Sequence, residues 1–351
     1  MPYGGRPLSD ATQPTQATEI AAAVRQVLGD SLGYLYPAAL RVALRTDIAG
    51  HLTDGPKTAA QLAELTGVHA PSLHRVLRFL ATRGIFREDT DSAFHLTPAA
   101  HVLRTDVPYS VRSTALLLTD EMYWKSTGRL EDTVRDGSTA FNDIFGAPLF
   151  DYLDQNEESA RTFHTGIADL SAIEQGGIAA SYDFPATGKI IDVGGGPGGF
   201  LRTVLANNPG LHGVLYEQDA VLQQHQLDDE AIAGRWETAE GNFFDVAPTG
   251  GDIYVLKRVL HDWSDDDSLR ILQAVRKAMS DQARLLVVDA VVPPGNDPHP
   301  AKLYDVAMMT IFDGKERTEP EFKELLAAAG LRLVRVIPTP GTVSILEAVT
   351  A

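Results

Sequence analysis

A chain of 351 residues with 44% hydrophobic and 22% charged content has the composition of a globular protein and the length for two domains. Its formal charge of −17 opposes binding to nucleic-acid backbones and anionic membranes, both of which reward clustered Lys and Arg. With no cysteine, disulfides, thiolate nucleophiles and thiolate metal sites are excluded, and the composition fits a cytoplasmic protein.

Residues 1–16 are polar with Gly and Pro, lack the apolar stretch of a secretory signal, and read as a disordered N-terminus. From Ala17 the pattern is helical, with Ile20, Val24, Val27 and Leu28 at three-to-four-residue spacing. Thr58 to Leu65, a turn at Gly67, and Ala70 to Gly84 predict two short helices. Ile85-Phe86-Arg87 and Ala93-Phe94-His95-Leu96 then predict a small hairpin, which makes 17–107 a winged helix-turn-helix. Arg75, Arg78 and Arg83 near the second helix allow a DNA-binding reading, but the acidic chain opposes it. Leu73, Val76, Leu77, Phe79 and Leu80 fit a core or subunit-interface stripe instead.

Residues 108–182 continue helical and carry an aromatic-rich set including Tyr123, Trp124, Phe150 and Phe163, suited to a core or to a pocket for a flat molecule. From Lys189 the texture changes. Ile190 to Val193, Gly213 to Tyr216, Ile253 to Leu256 and Arg284 to Val288 are short apolar strands separated by helical segments, the pattern of a parallel, doubly wound sheet over 183–351. Leu331 to Ile337 and Val343 to Val349 close the sequence as an antiparallel hairpin.

Asp192-Val193-Gly194-Gly195-Gly196-Pro197-Gly198-Gly199 follows a strand and precedes a helix, where glycines let backbone approach a ligand. Gly194, Gly196 and Gly199 satisfy the dinucleotide fingerprint, which by itself suits NAD and S-adenosylmethionine equally. Glu217 ends the next strand, where a carboxylate accepts hydrogen bonds from ribose hydroxyls. Further on, Gly241-Asn242-Phe243-Phe244-Asp245 precedes the strand that carries Lys257 and Arg258, and His261-Asp262-Trp263 follows it. Histidine suits proton abstraction near neutral pH, so His261 is the candidate general base. Asp289 and Glu316 are candidates to orient its imidazole. Ser264 to Asp267 reads as a helix cap with acids in the first turn, not as a metal site.

In this order, DVGGGPG, YE, GNFFD, LKRVLHDW and DGKERTEPEF resemble the small-molecule O-methyltransferase family that includes caffeate, flavonoid and bacterial natural-product enzymes. The resemblance implies an α/β class I methyltransferase fold, with a doubly wound seven-stranded sheet and a C-terminal antiparallel hairpin. It also implies a mainly helical N-terminal winged-helix dimerisation domain, hence a homodimer. S-adenosylmethionine is the implied cofactor, without a metal. Gly194 and its neighbours Asp192, Gly195 and Gly196 would pack around its methionine end, Glu217 would hold its ribose, Asn242 and Phe243 would frame its adenine and Lys257 would approach it from the next strand, with Ser171, Gln218, Gly241, Phe244 and Arg258 also on the cofactor side. Asn242 stands where the family commonly has Asp, and Asp289 where it often has Glu, a shorter reach toward His261. Trp124, Phe163, Ile167, Asp262, Asp305, Met308, Met309 and Phe312 are candidates to meet an aromatic acceptor, together with His261. An NAD-dependent dehydrogenase leaves GNFFD, HDW and GKERT unexplained, and a DNA-binding protein predicts a basic surface. Methylation at carbon or nitrogen, or a reaction without methyl transfer, stays open.

Overall fold

The computed structural model describes residues 16–351; of the disordered stretch expected over 1–16, all but Gln16 lies outside the described residues, and Gln16 itself opens a helix. The chain forms two compact units, one ending at Val107 and one beginning at Pro108.

In the first unit, helices Gln16–Ser31, Leu35–Arg45, Ile48–His51, Ala59–Thr66, Ala70–Ala81 and Pro98–His101 accompany three short strands, β1 (Lys57–Thr58), β2 (Phe86–Glu88) and β3 (Ala93–Leu96). The strands pair antiparallel in the order β1-β3-β2, so the expected hairpin gains a third strand. Thr58 caps helix Ala59–Thr66 in a reciprocal box with Gln61, and Gly67 ends it in the left-handed conformation. Leu73, Leu77 and Leu80 of the stripe on helix Ala70–Ala81 are buried with Leu62, Phe86 and Phe94 in the core, while Val76 is half-buried and Phe79 exposed. Arg83 lies over the Tyr36 ring at 5.1 Å.

The second unit holds a seven-stranded sheet of β4 (Gly188–Val193), β5 (Leu211–Glu217), β6 (Trp236–Glu240), β7 (Ile253–Lys257), β8 (Arg284–Asp289), β9 (Leu331–Pro338) and β10 (Ser344–Thr350). Their order is β6-β5-β4-β7-β8-β10-β9. The first five strands run parallel, and β10 is antiparallel to both β8 and β9. Alternation divides the central strands between two cores. Ile191, Val193, Tyr254, Leu256, Leu285 and Val287 enter one; Ile190, Leu215, Val255, Leu286, Val288 and Ile345 enter the other. β6 was not among the strands named from apolar runs, because this edge strand, Trp-Glu-Thr-Ala-Glu, buries none of its residues fully.

Residues 108–182 belong to the same unit as the sheet. Six helices lie here, ending in the long Glu157–Ala180. That helix packs tightly on helix Arg112–Leu118, where a side chain at Gly166 would overlap Leu117 and where buried Thr114 donates to the Gly166 carbonyl at 2.8 Å.

Candidate active site

The strand order reverses between β4 and β7, so the segments leaving their C-terminal ends flank a crevice of the kind in which open α/β sheets bind ligands. The glycine segment leaves β4 and runs into helix Gly199–Asn207, whose N-terminus follows Gly198. Gly194 has φ +69°, and a Cβ there would press on Val259 and Phe243 at 3.1 and 3.3 Å, so this turn requires glycine. Glu217 ends β5 and faces the same loop. Its Oε2 accepts from the Gly196 amide at 3.2 Å and its Oε1 from the Gln218 amide at 2.9 Å, which fixes the carboxylate while leaving acceptor capacity for a ligand hydroxyl. Burial pushes its pKa up against these two bonds. Asp192 lies beneath Gly195, with both carboxylate oxygens buried and without a partner among the described residues. Burial, opposed by Lys257, pushes it up to about 7.

Lys257, at the end of β7, donates to Ser171 Oγ at 2.8 Å, so two residues 86 positions apart meet beside the glycine loop. Gly241 follows β6 against the Tyr216 ring, and Phe243 lies against Gly194 and Trp263. Asn242 is exposed and its Oδ1 accepts from the Phe244 amide at 3.0 Å, which closes a local turn and leaves the amino group and the second lone pair of the oxygen for a ligand. Gln218 is exposed at the start of helix Asp219–Leu222.

The segment after β7 turns through one 3-10 step, Leu260–Asp262, placing His261 where it is only 8% exposed. Its Nδ1 is 3.0 Å from Glu316 Oε1. A carboxylate only accepts, so Nδ1 carries the hydrogen and the Nε2 lone pair is left as the basic position. Asp262 Oδ1 lies 3.4 Å from Nε2. Burial opposes the imidazolium, but the charge of Asp262, the bond to Glu316 and the charge of Asp289 outweigh it and raise His261 to about 9. Asp289 is fully buried at the end of β8, and neither of its oxygens has a hydrogen-bond partner among the described residues. Burial first, then the charge of Glu316, pushes it up to about 7. Glu316 alone bonds the ring, while Asp289 acts on it through charge, as its short side chain foreshadowed.

After His261 and Asp262, Trp263 belongs to an aromatic wall. Phe150 stacks on Trp263 at 5.7 Å and meets Phe163 at 6.3 Å and Phe312 at 6.0 Å. Tyr123 packs in the same region, its hydroxyl raised by burial and by the neighbouring Asp262.

Residues 127–332 match the O-methyltransferase domain model, and residues 28–106 match the O-methyltransferase dimerisation domain model. The chain belongs to the O-methyltransferase family. It is 37% identical over 318 residues to phenazine O-methyltransferase PhzM of Lysobacter antibioticus, a match covering 90% of this chain and 93% of that one. To the mitomycin biosynthesis 6-O-methyltransferase of Streptomyces lavendulae it is 34% identical, over 96% of this chain and 98% of that one. Among solved structures it resembles CalO1, a methyltransferase in calicheamicin biosynthesis solved in an S-adenosylhomocysteine-bound form, with TM-score 0.87, 44% identity and coverage of 94% and 99%. The enzyme is an S-adenosylmethionine-dependent O-methyltransferase.

Other anticipated site residues of this methyltransferase sit differently. Arg258, grouped with the cofactor residues from its place beside Lys257, is committed elsewhere: Nε and Nη2 grip both oxygens of Glu174 at 2.9 and 2.7 Å, and Nη2 also reaches Thr342. It is a strut between helix Glu157–Ala180 and the β9–β10 turn. Asp305 accepts from the Glu316 amide at 3.1 Å and so braces the residue that bonds His261. Met308, Phe163 and Phe312 are buried in one core cluster, Met309 is half-buried, and Ile167 is exposed. Trp124 is half-buried, whereas its neighbour Tyr123 packs on that cluster. Sequence reasoning assigned no site role to Phe150, Glu174 or Arg317. Phe150 was visible as one aromatic among many, and Arg317 as a member of GKERT. Among the described residues no group of His, Asp and Glu is arranged to hold a metal ion, and no helix is long and apolar enough to cross a membrane.

Proposed function

We propose that this methyltransferase acts on a hydroxyl of a small planar aromatic molecule, with His261 as general base. The observation that carries the reading is the His261–Glu316 pair at 3.0 Å together with the wall of Phe150, Trp263, Phe163 and Phe312. A phenol, with a pKa of about 10, is mostly protonated at neutral pH, so its oxygen becomes a good nucleophile only as a base takes the proton. The cofactor supplies an electrophilic methyl group. Glu217 would hold its ribose, the backbone of 194–196 would pass along its methionine end, and Phe243 and Asn242 would border its adenine. Ser171 and Lys257 would complete the pocket. Glu316 fixes the imidazole tautomer and supports the positive charge that His261 gains with the phenolic proton. Stacking on aromatic side chains favours flat acceptors, and relatives that act on phenazine and mitomycin substrates support that class.

The same reading includes a homodimer. Helix Gln16–Ser31 buries none of its residues, yet Ile20, Val24, Val27 and Leu28 are all more than half exposed on one stripe. A second copy of the chain would cover it, in keeping with the matched dimerisation domain. Domain limits follow: 17–107 for association, 108–182 for the acceptor side, 183–351 for the cofactor.

Calorimetry with S-adenosylhomocysteine and a turnover screen over phenols and aromatic amines test the proposal. His261→Ala is expected to bind S-adenosylhomocysteine like the parent and to lose most phenol methylation. Parental turnover in that variant removes His261 as base, and turnover of amines alone removes the phenolic acceptor.

A further inference from the structure

Arg317 is the largest fully buried side chain among the described residues, and no step above uses it. Its guanidinium points at the turn that carries His261. Nη1 donates to the Leu260 carbonyl at 2.8 Å, just before the base, and Nη2 to the Trp263 carbonyl at 3.1 Å, just after Asp262. Nη2 also reaches Ser268 Oγ at 3.1 Å, and Nε donates to Asp265 Oδ1 at 2.9 Å, which balances the buried charge. The Arg317 carbonyl accepts from Val292 at 2.9 Å, three residues past Asp289. Glu316, its neighbour, holds the ring of the same histidine. Consecutive residues thus grip one turn, by its imidazole and by its backbone. Gly314 fits this geometry: a Cβ there would overlap the His261 carbonyl and lie 2.7 Å from the Trp263 amide.

We propose that Arg317 is a positioning residue for methyl transfer, a clamp that fixes the peptide on both sides of His261 and so aims Nε2 at the acceptor hydroxyl. Four acceptors at fixed angles match the planar fork of a guanidinium; an ammonium on a lysine stem offers a point charge and cannot reach both carbonyls in one plane. A displacement of the base by about 1 Å can cost on the order of a hundredfold in rate, so the clamp belongs to kcat and not to cofactor affinity.

The inference rests on His261 being the base, and the experiment separates the two. In the full-length enzyme, Arg317→Lys is expected to keep S-adenosylhomocysteine affinity within about threefold while kcat per binding site falls at least about tenfold. The acidic midpoint of kcat/KM should also fall, because a loosened turn weakens the His261–Glu316 bond. Unchanged kcat per binding site, alongside an inactive His261→Ala, overturns the clamp and spares the base. A fully active His261→Ala overturns the base itself, and the clamp with it. Should the lysine variant not fold, Asp265→Ala combined with Ser268→Ala removes two of the guanidinium's anchors. A severalfold lower kcat with unchanged affinity supports the clamp, and parental kcat overturns it.

Discussion

His261 is held between two opposed demands: burial favours the neutral ring, while Asp262, Glu316 and Asp289 favour the cation and prevail, raising it to about 9. With His261 as the proposed base, which must be neutral to accept a proton, kcat/KM is expected to climb from neutral pH to a midpoint near that value, measured with an acceptor whose own ionisation lies well away. Glu316→Gln removes a negative neighbour, so the midpoint should move down; a midpoint that stays or rises contradicts the assigned pairing. The shift also bears on stability. A folded-state pKa above the unfolded value of about 6.5 makes the imidazolium stabilising below that pH, an increment lost as pH rises through about 9. Urea midpoints at either end of the window check it, with His261→Ala flattening the difference. For the cofactor, Glu217→Ala should weaken S-adenosylhomocysteine binding by about 1.5–3 kcal/mol, typical of hydrogen bonds to a charged group, and calorimetry reads this directly. His261, Glu316 and Glu217 stood out in the sequence because each sits in a motif, Glu217 at the end of β5, His261 just after β7 and Glu316 in the loop before helix Glu319–Ala328. The pairing of Arg258 was not legible, because Glu174, the carboxylate it grips, is 84 residues away and no local pattern joins them.

Among the elements, the segment 314–318 does the most to shape the site. It starts at a glycine pressed on the His261 turn and ends at Thr318, which forms a reciprocal cap with Glu321 on helix Glu319–Ala328. Gly314→Ala is expected to cost about 1–3 kcal/mol by overpacking against backbone, and to lower turnover beyond what the unfolded fraction explains. Thr318→Ala removes only the cap and should cost about 0.5–2 kcal/mol with turnover per folded molecule preserved; denaturant melts paired with active-site titration distinguish the two. The central strands were readable as apolar runs because both faces are covered. β6 was not, since its edge position leaves its residues exposed or half-buried and removes the hydrophobic signal. The wall formed by Phe150 and Trp263 was likewise invisible as a pair, being assembled from a helix and a turn more than a hundred residues apart.

At the scale of the whole molecule, the apolar stripe on helix Gln16–Ser31 makes association testable with one charge. Val24→Asp, at a position 51% exposed, is expected to leave the far-UV spectrum unchanged and to shift sedimentation from dimer to monomer. A variant that stays dimeric moves the interface elsewhere. The first compact unit ends at Val107, whereas 108–182, set apart in sequence by the change from helical to strand texture at Lys189, share a unit with the sheet and are tied to it by the Glu174–Arg258 pair, which no local pattern reveals. The sheet order has a further consequence for how the sheet is completed. β10 follows the other six strands in sequence but lies between β8 and β9, with Ser344 opposite Asp289. In sequence order, then, the glycine loop, Glu217, His261 and Glu316 all precede the strand that flanks Asp289. The sheet is therefore completed only by the last of its seven strands in sequence, which both pairs with the β8 edge carrying Asp289 and ties β9 to the rest.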